Sequence, residues 1–166
     1  PERGRVVRAG GRPAGRLAAW WRGLEWGGGS RQAEWDGPGP GPQDIACIMY
    51  TSGTSGVSKG VLMPHAHCAL YGVGTIRCLE LTQDDRYYVC LPMFHANALL
   101  MQVGATLLAG IPVLVRRRFS ASQWLPDIRE HGATVTNVLG AVSGFLFSHP
   151  ASPLDRQHRL RAVLSA

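Results

Sequence analysis

From residue 44 onward, apolar runs of strand length alternate with segments of helical pattern, and this alternation restricts the fold more than any other feature of the chain. The runs are Ile45 to Tyr50, Val61 to Met63, Tyr87 to Leu91, Pro112 to Val115, Thr134 to Leu139 and Leu160 to Ser165. Between them, Pro64 to Leu81 places Cys68, Tyr71 and Ile76 on one helical face, Ala96 to Ala109 reads as a buried helix, and Ala141 to His149 as a short one. Ser120 and Gln123 form a capping box for a helix to His131, Pro126 should bend or delay its first turns, and Gly132 stops it. Such alternation predicts an α/β fold, with strands and helices around a largely parallel sheet. Ligands of such sheets bind at the carboxyl ends of strands, so the loop after Ile45 to Tyr50 becomes the place to look for chemistry.

The first 43 residues are different in kind. They hold 11 of the 21 glycines, 5 of the 11 prolines and 4 of the 5 tryptophans. The stretch Gly37 to Gln43 can neither continue a helix nor pair as a strand, so residues 1–43 read as a Gly/Pro/Arg-rich lead-in and linker, with a short amphipathic helix predicted at Gly15 to Trp26. Residues 44–166 form the domain proper. The net charge of +6 is spread along the chain and gives no basic face for a nucleic acid. No apolar run is long enough for a membrane span, and the start carries neither an initiator Met nor a signal-peptide stretch, so the chain is expected to be a fragment of a cytoplasmic protein. Cys47, Cys68, Cys78 and Cys90 lack metal-ligand spacing and are expected to be reduced, buried thiols.

Among the 17 basic residues, Lys59 is the single lysine. It lies in Tyr50 to Gly60, Y-T-S-G-T-S-G-V-S-K-G, where glycines allow close backbone approach, successive amides form an anion-holding concavity, and hydroxyls add donors. The compact ammonium of Lys59 adds a mobile point charge. A Walker A reading fails because Gly60, not Ser or Thr, follows the lysine. Gly56 to Gly60 also satisfies G-x-S-x-G, the elbow of an α/β-hydrolase with Ser58 as nucleophile, but an elbow needs a strand before the serine and a helix after it. A non-catalytic phosphate-binding α/β module is the other alternative. His65 and His67 lack further ligands at metal spacing, Arg116 to Arg118 read as a solvated strand end, and Asp127, Glu130 and Asp155 as surface charges.

The loop resembles the phosphate loop of the adenylate-forming (AMP-binding) superfamily, [Y/F]-T-S-G-[ST]-[ST]-G-x-P-K-G. Leu91-Pro92-Met93-Phe94-His95-Ala96-Asn97-Ala98-Leu99 is similar to a second family segment, L-P-[LM]-[FY]-H-x-x-x-L. Arg117 to Ser122 and Gly132 to Asn137 resemble acyl-CoA synthetases of the crotonobetaine/carnitine-CoA ligase type. The resemblance covers Asp44 to Ala166 and departs from the pattern at Ser58, where the family has proline, which should loosen the loop.

That resemblance implies an incomplete N-terminal subdomain of an enzyme that joins a carboxylate to ATP, releases pyrophosphate, and passes the acyl group from the adenylate to coenzyme A. It implies that Thr51, Ser52, Gly53, Thr54, Ser55 and Gly56 wrap the phosphates, that Thr51 also lies near Mg²⁺, and that Lys59 contacts the leaving pyrophosphate. It assigns His95 to the gate between acyl pocket, nucleotide and pantetheine tunnel, and gives Phe94, His95 and Val138 to Ala141 one wall of the acyl pocket. The later family motifs and the C-terminal catalytic lysine are not in this sequence, so the fragment alone is expected to be inactive. A homo-oligomer of the full-length protein is left open.

Overall fold

The computed structural model describes residues 5–7, 38–51 and 56–165. The helix expected at Gly15 to Trp26 lies outside the described residues. Two β-structures are present. A five-stranded sheet has the order β1 (Arg5–Val7), β5 (Val113–Val115), β4 (Tyr87–Val89), β6 (Val135–Val138), β7 (Ala162–Ser165). Its last four strands run parallel, and β1 closes one edge antiparallel to β5, with Val7 opposite Val113. The second structure is a separate antiparallel hairpin of β2 (Ile45–Thr51) and β3 (Lys59–Pro64).

The hairpin corrects one expectation. The strand before the phosphate-loop motif is not a member of the parallel sheet, so the carboxyl-end rule does not place that loop. The loop is the tip of a hairpin whose strands pair over their whole length, with one bulge between Ile45 and Cys47. A two-stranded ribbon needs a third layer to be stable, and α1 (His65–Leu79), which follows β3 without a break, packs against it.

Burial explains the sheet order. β4 lies between β5 and β6, and Tyr87, Tyr88 and Val89 are all buried, the run of apolar residues expected of a central parallel strand covered on both faces. Successive side chains of a strand point to opposite faces. Tyr87 reaches Asn137 on β6, which bonds Asn97 at the head of the next helical segment, whereas Tyr88 meets Asp127 and Trp124 on α3 (Ala121–His131). The helices therefore cover opposite faces of β4.

The segment read as one buried helix is two. Asn97–Val103 is π-helical and runs directly into α2 (Gly104–Ala109), and the Gly104 N–H reaches back five residues to the Leu99 carbonyl. A wider π-turn carries an extra residue per turn and recurs at functional positions. On α1 the buried positions are Gly72, Thr75 and Leu79, with Cys68, Tyr71 and Ile76 only half-buried, so the inward face is rotated from the expected one. The reason is Gly72, which lets the backbone of α2 approach so closely that a Cβ there would lie 3.2 Å from the Ala105 nitrogen. α3 starts at Ala121 and ends at Gly132 (φ +60°) as read, and Pro126 is accommodated within it. The capping box does not form. Ser120 bonds the Ser122 hydroxyl (3.2 Å) instead of capping with its side chain. α4 (Gly140–Phe147) leads towards β7.

The thiols are only partly as expected. All four are free, but Cys90 alone is buried, Cys47 and Cys68 are half-buried, and Cys78 is exposed. Asp127 also departs from its reading as a surface charge. It is buried, accepts from the Tyr88 hydroxyl (2.9 Å) and pairs with Arg116 Nε (2.9 Å). Together with burial, that carboxylate pushes the Tyr88 phenol well above its ordinary value.

Candidate functional site

Thr51 and Lys59 face each other as the last register pair of the hairpin. The Thr51 hydroxyl donates to the Lys59 carbonyl at 3.4 Å, and both residues are exposed at the mouth of the loop. The β-ladder below them, from Tyr50 opposite Gly60 down to Ile45 opposite Pro64, fixes the separation of the loop's two ends. Gly56 adopts φ +113°, a conformation that L side chains rarely reach, and among the described residues nothing lies within 4 Å of where its Cβ would stand. Glycine is needed there for backbone shape. Ser52, Gly53, Thr54 and Ser55 lie outside the described residues.

Ser58 leads directly into β3 rather than into a helix, which removes the hydrolase elbow. Gly60 has a different role from Gly56. A Cβ there would lie 2.9 Å from the Ile48 side chain, so the cross-strand contact at the base of the loop requires glycine.

His95 occupies a second position. β4 ends at Val89, the chain turns through Cys90 to Phe94, and His95 comes just before the π-helix, its N–H bonded to the Pro92 carbonyl (3.0 Å) and its carbonyl accepting from the Leu99 N–H (3.0 Å). Its ring is exposed, tilted against Phe94 at 4.7 Å between centroids. This turn lies at the carboxyl end of β4, the edge where β6 also ends and Leu139 and Gly140 begin the next connection. Phe94, His95 and Val138 to Ala141 are thus brought to one edge of the sheet. Hairpin and π-helix both pack on α1, which is the shared support of the two parts.

Beneath His95 is a polar network to which the sequence motifs assign no role, although Asn97 and Asn137 fall within the matched stretches. The Asn97 carboxamide oxygen accepts from Asn137 Nδ2 (3.0 Å) and from Gln102 Nε2 (2.9 Å), and the Tyr87 hydroxyl donates to Asn137 Oδ1. Tyr87, Gln102 and Asn137 are fully buried. The network ties the start of the π-helix to the centre of the sheet and so holds the His95 turn by its following residues. Its signal in the sequence is an asparagine inside a β-branched strand and a glutamine inside an apolar helix, types that are buried only when partnered. Gln102 Oε1 has no partner among the described residues.

His65 and His67 open α1, with His67 stacked on Tyr71 at 5.2 Å, and among the described residues no three His, Cys, Asp or Glu side chains gather as a metal site would require. No described helix is long and apolar enough to cross a membrane.

The AMP-binding enzyme family matches residues 15–166. The chain is 39% identical over 122 residues to a medium/long-chain-fatty-acid–CoA ligase of Mycobacterium marinum, covering 74% of this chain and 24% of that protein. It is 31% identical to long-chain fatty acid transport protein 1 of Rattus norvegicus, covering 76% and 20%. Among solved structures it resembles the o-succinylbenzoate coenzyme A synthetase of Bacillus subtilis in complex with AMP (TM-score 0.65, 28% identity, 76% of this chain and 25% of that one). ATP-bound MatB of Rhodopseudomonas palustris is similar to the same extent (TM-score 0.66, 28% identity, 76% and 25%). The chain spans about a quarter of the length of the curated relatives it matches.

Proposed function

The chain belongs to the AMP-binding enzyme family, and on that premise we propose that it supplies the phosphate-binding hairpin and part of the acyl-binding edge of an ATP-dependent acyl-CoA synthetase. The reaction joins a carboxylate to the α-phosphate of ATP, releases pyrophosphate, and transfers the acyl group to the thiol of coenzyme A. A carboxylate approaching a polyphosphate meets like charge, so the catalyst has to neutralise and position the leaving β- and γ-phosphates. In this reading Thr51, Ser52, Gly53, Thr54, Ser55 and Gly56 surround those phosphates, and Lys59 places its ammonium on the leaving pyrophosphate. Mg²⁺ enters with the nucleotide as part of the substrate. The Thr51 hydroxyl is exposed, and in donating to the Lys59 carbonyl at 3.4 Å it keeps its lone pairs for the metal. His95, on its turn above the asparagine network, stands between acyl group, nucleotide and incoming thiol.

The observation that carries the proposal is the hairpin. Its paired ends, Thr51 and Lys59, present a hydroxyl and an ammonium at one mouth, with a left-handed Gly56 opening the backbone between them. The matched fatty-acid ligase favours a hydrophobic carboxylate as substrate. Residues 44–166 carry the unit in this proposal, with residues 1–43 leading into it, in a cytoplasmic protein.

Calorimetric titration of pyrophosphate into the chain and its Lys59→Ala variant tests the assignment. One lost charge-assisted contact should weaken binding about tenfold. Equal affinities would remove Lys59 from the phosphate role. Carboxylate-dependent ATP–pyrophosphate exchange by the enzyme that carries this chain tests the reaction class.

A further inference from the structure

Two of the four thiols face each other across the support of the phosphate loop. Cys47 is on β2, immediately after the bulge that lets Ile45 and Cys47 take consecutive partners on β3. A bulge bends its strand and re-aims the side chains beside it, and Cys47 and Met49 turn partly inward while Ile48 and Tyr50 stay exposed. Cys68 is in the first turn of α1, where its Sγ lies 4.0 Å from the Met63 carbonyl. The two sulfurs are 3.9 Å apart. A disulfide needs about 2.05 Å, so the two side chains have to turn towards each other, and both are half-buried and outside the main core.

The geometry points to Cys47 and Cys68 as a dithiol modification site, oxidised by peroxide to a disulfide that staples the hairpin, and the loop at its tip, to the first turn of α1. Burial, and then the neighbouring Cys47 sulfur, push the Cys68 thiol up to about 11, so Cys68 keeps its proton through the first step. Attack of the Cys47 thiolate on hydrogen peroxide breaks the O–O bond, leaves hydroxide and forms Cys47 sulfenic acid. The Cys68 sulfur then attacks Cys47 Sγ. The S–O bond breaks, the departing hydroxide takes the Cys68 proton as water, and the S–S bond forms. Two thiols have lost two electrons, and one peroxide has become two waters. The inference uses no property of the proposed ligand and stands or falls without it.

Cleavage chemistry makes the test clean. Lys59 lies between the two cysteines, so trypsin places Cys47 on peptide 32–59 and Cys68 on peptide 60–77, with Cys78 and Cys90 on two further peptides. The full chain is treated with dilute hydrogen peroxide, alkylated in denaturant, and digested without reductant for mass spectrometry. Peptides 32–59 and 60–77 should appear joined, two hydrogens lighter than their sum and at least tenfold above the untreated control, and the join should vanish on reduction. Exposed Cys78 is the internal control for accessibility without geometry. In Cys68→Ser, dimedone should trap Cys47 as its sulfenic acid. In Cys47→Ser, Cys68 should remain alkylatable. Recovery of both peptides fully alkylated after peroxide, or disulfides to Cys78 at the level of the 47–68 pair, would overturn the assignment.

Discussion

Replacing Asp85 with asparagine should destabilise the chain by about 2–3 kcal/mol at neutral pH. Asp85 is buried at the turn before β4. One carboxylate oxygen accepts from the Thr134 hydroxyl (2.7 Å) and Arg161 Nε (2.8 Å), and the other from the Thr82 N–H (2.8 Å) and Arg161 Nη2 (2.6 Å). Arg161 Nη2 also donates to the carbonyls of Leu79 and Glu80 (2.9 and 3.2 Å), the latter a left-handed residue (φ 48°) that ends α1. One carboxylate thus joins the end of α1 to the approaches of β4, β6 and β7. Removing one partner of a buried pair costs about 3–5 kcal/mol. The lower figure follows because the Arg161 side chain is 41% exposed and regains water. Asparagine also offers an N–H₂ where the Arg161 guanidinium and the Thr82 N–H can only donate.

The pH dependence gives the sign. The Arg161 guanidinium, with Thr134 and Thr82, holds the Asp85 carboxyl far below its ordinary 3.8. A carboxyl depressed in the folded state contributes stability that is complete above the unfolded value and is lost as pH falls below it. Urea unfolding followed by far-UV circular dichroism should therefore give a constant gap between wild type and Asp85→Asn from pH 5 to pH 8. Below pH 4 the gap should narrow by about 1.4 kcal/mol per pH unit. A gap under about 0.5 kcal/mol at pH 7, where exposed pairs fall, or one unchanged down to pH 3, would refute the reasoning.

Two other substitutions test the packing. Gly72→Ala gains about 1 kcal/mol of helix propensity, but its Cβ would lie 2.5 Å from Leu108 Cδ1 and 3.2 Å from backbone atoms of α2, so the net change in urea midpoint should be destabilising by roughly 1 kcal/mol. Gly74→Ala on the same helix has nothing within 4 Å and should stabilise instead, and equal effects at the two sites would contradict the close approach. Asn137→Leu takes the acceptor from the buried Tyr87 hydroxyl and one of the two donors from the Asn97 oxygen, which keeps Gln102, and should cost about 2–4 kcal/mol in thermal or urea unfolding. A neutral result would mean that water or a rearranged Gln102 replaces it.

The strands and most helix limits were legible because their signals are local. Gly132 supplies a left-handed stop, Tyr87 to Val89 a continuous apolar run, and Thr51 to Lys59 a motif whose glycines and hydroxyls have few other uses. What escaped depends on partners distant in the chain. That β2 pairs only with β3 is decided by tertiary packing, since an apolar run of this length suits a parallel sheet equally well. Asp127 reads as a surface charge until Tyr88 and Arg116 arrive from two other elements. The π-turn likewise has no periodicity of its own, and its reason lies in the asparagine and glutamine that must reach the same acceptor.

The isolation of the hairpin from the parallel sheet has a kinetic consequence. Its ladder joins residues at most 19 positions apart, Ile45 to Pro64, whereas β4 must find β6 across 48 positions, Tyr87 to Val135. Pairings of short sequence separation form early and open without waiting for the rest. Amide protons of β2 and β3 can therefore exchange with solvent on their own schedule, through openings that leave every hydrogen bond of the five-stranded sheet intact. The segment that presents Thr51 and Lys59 can breathe while the body of the protein stays folded.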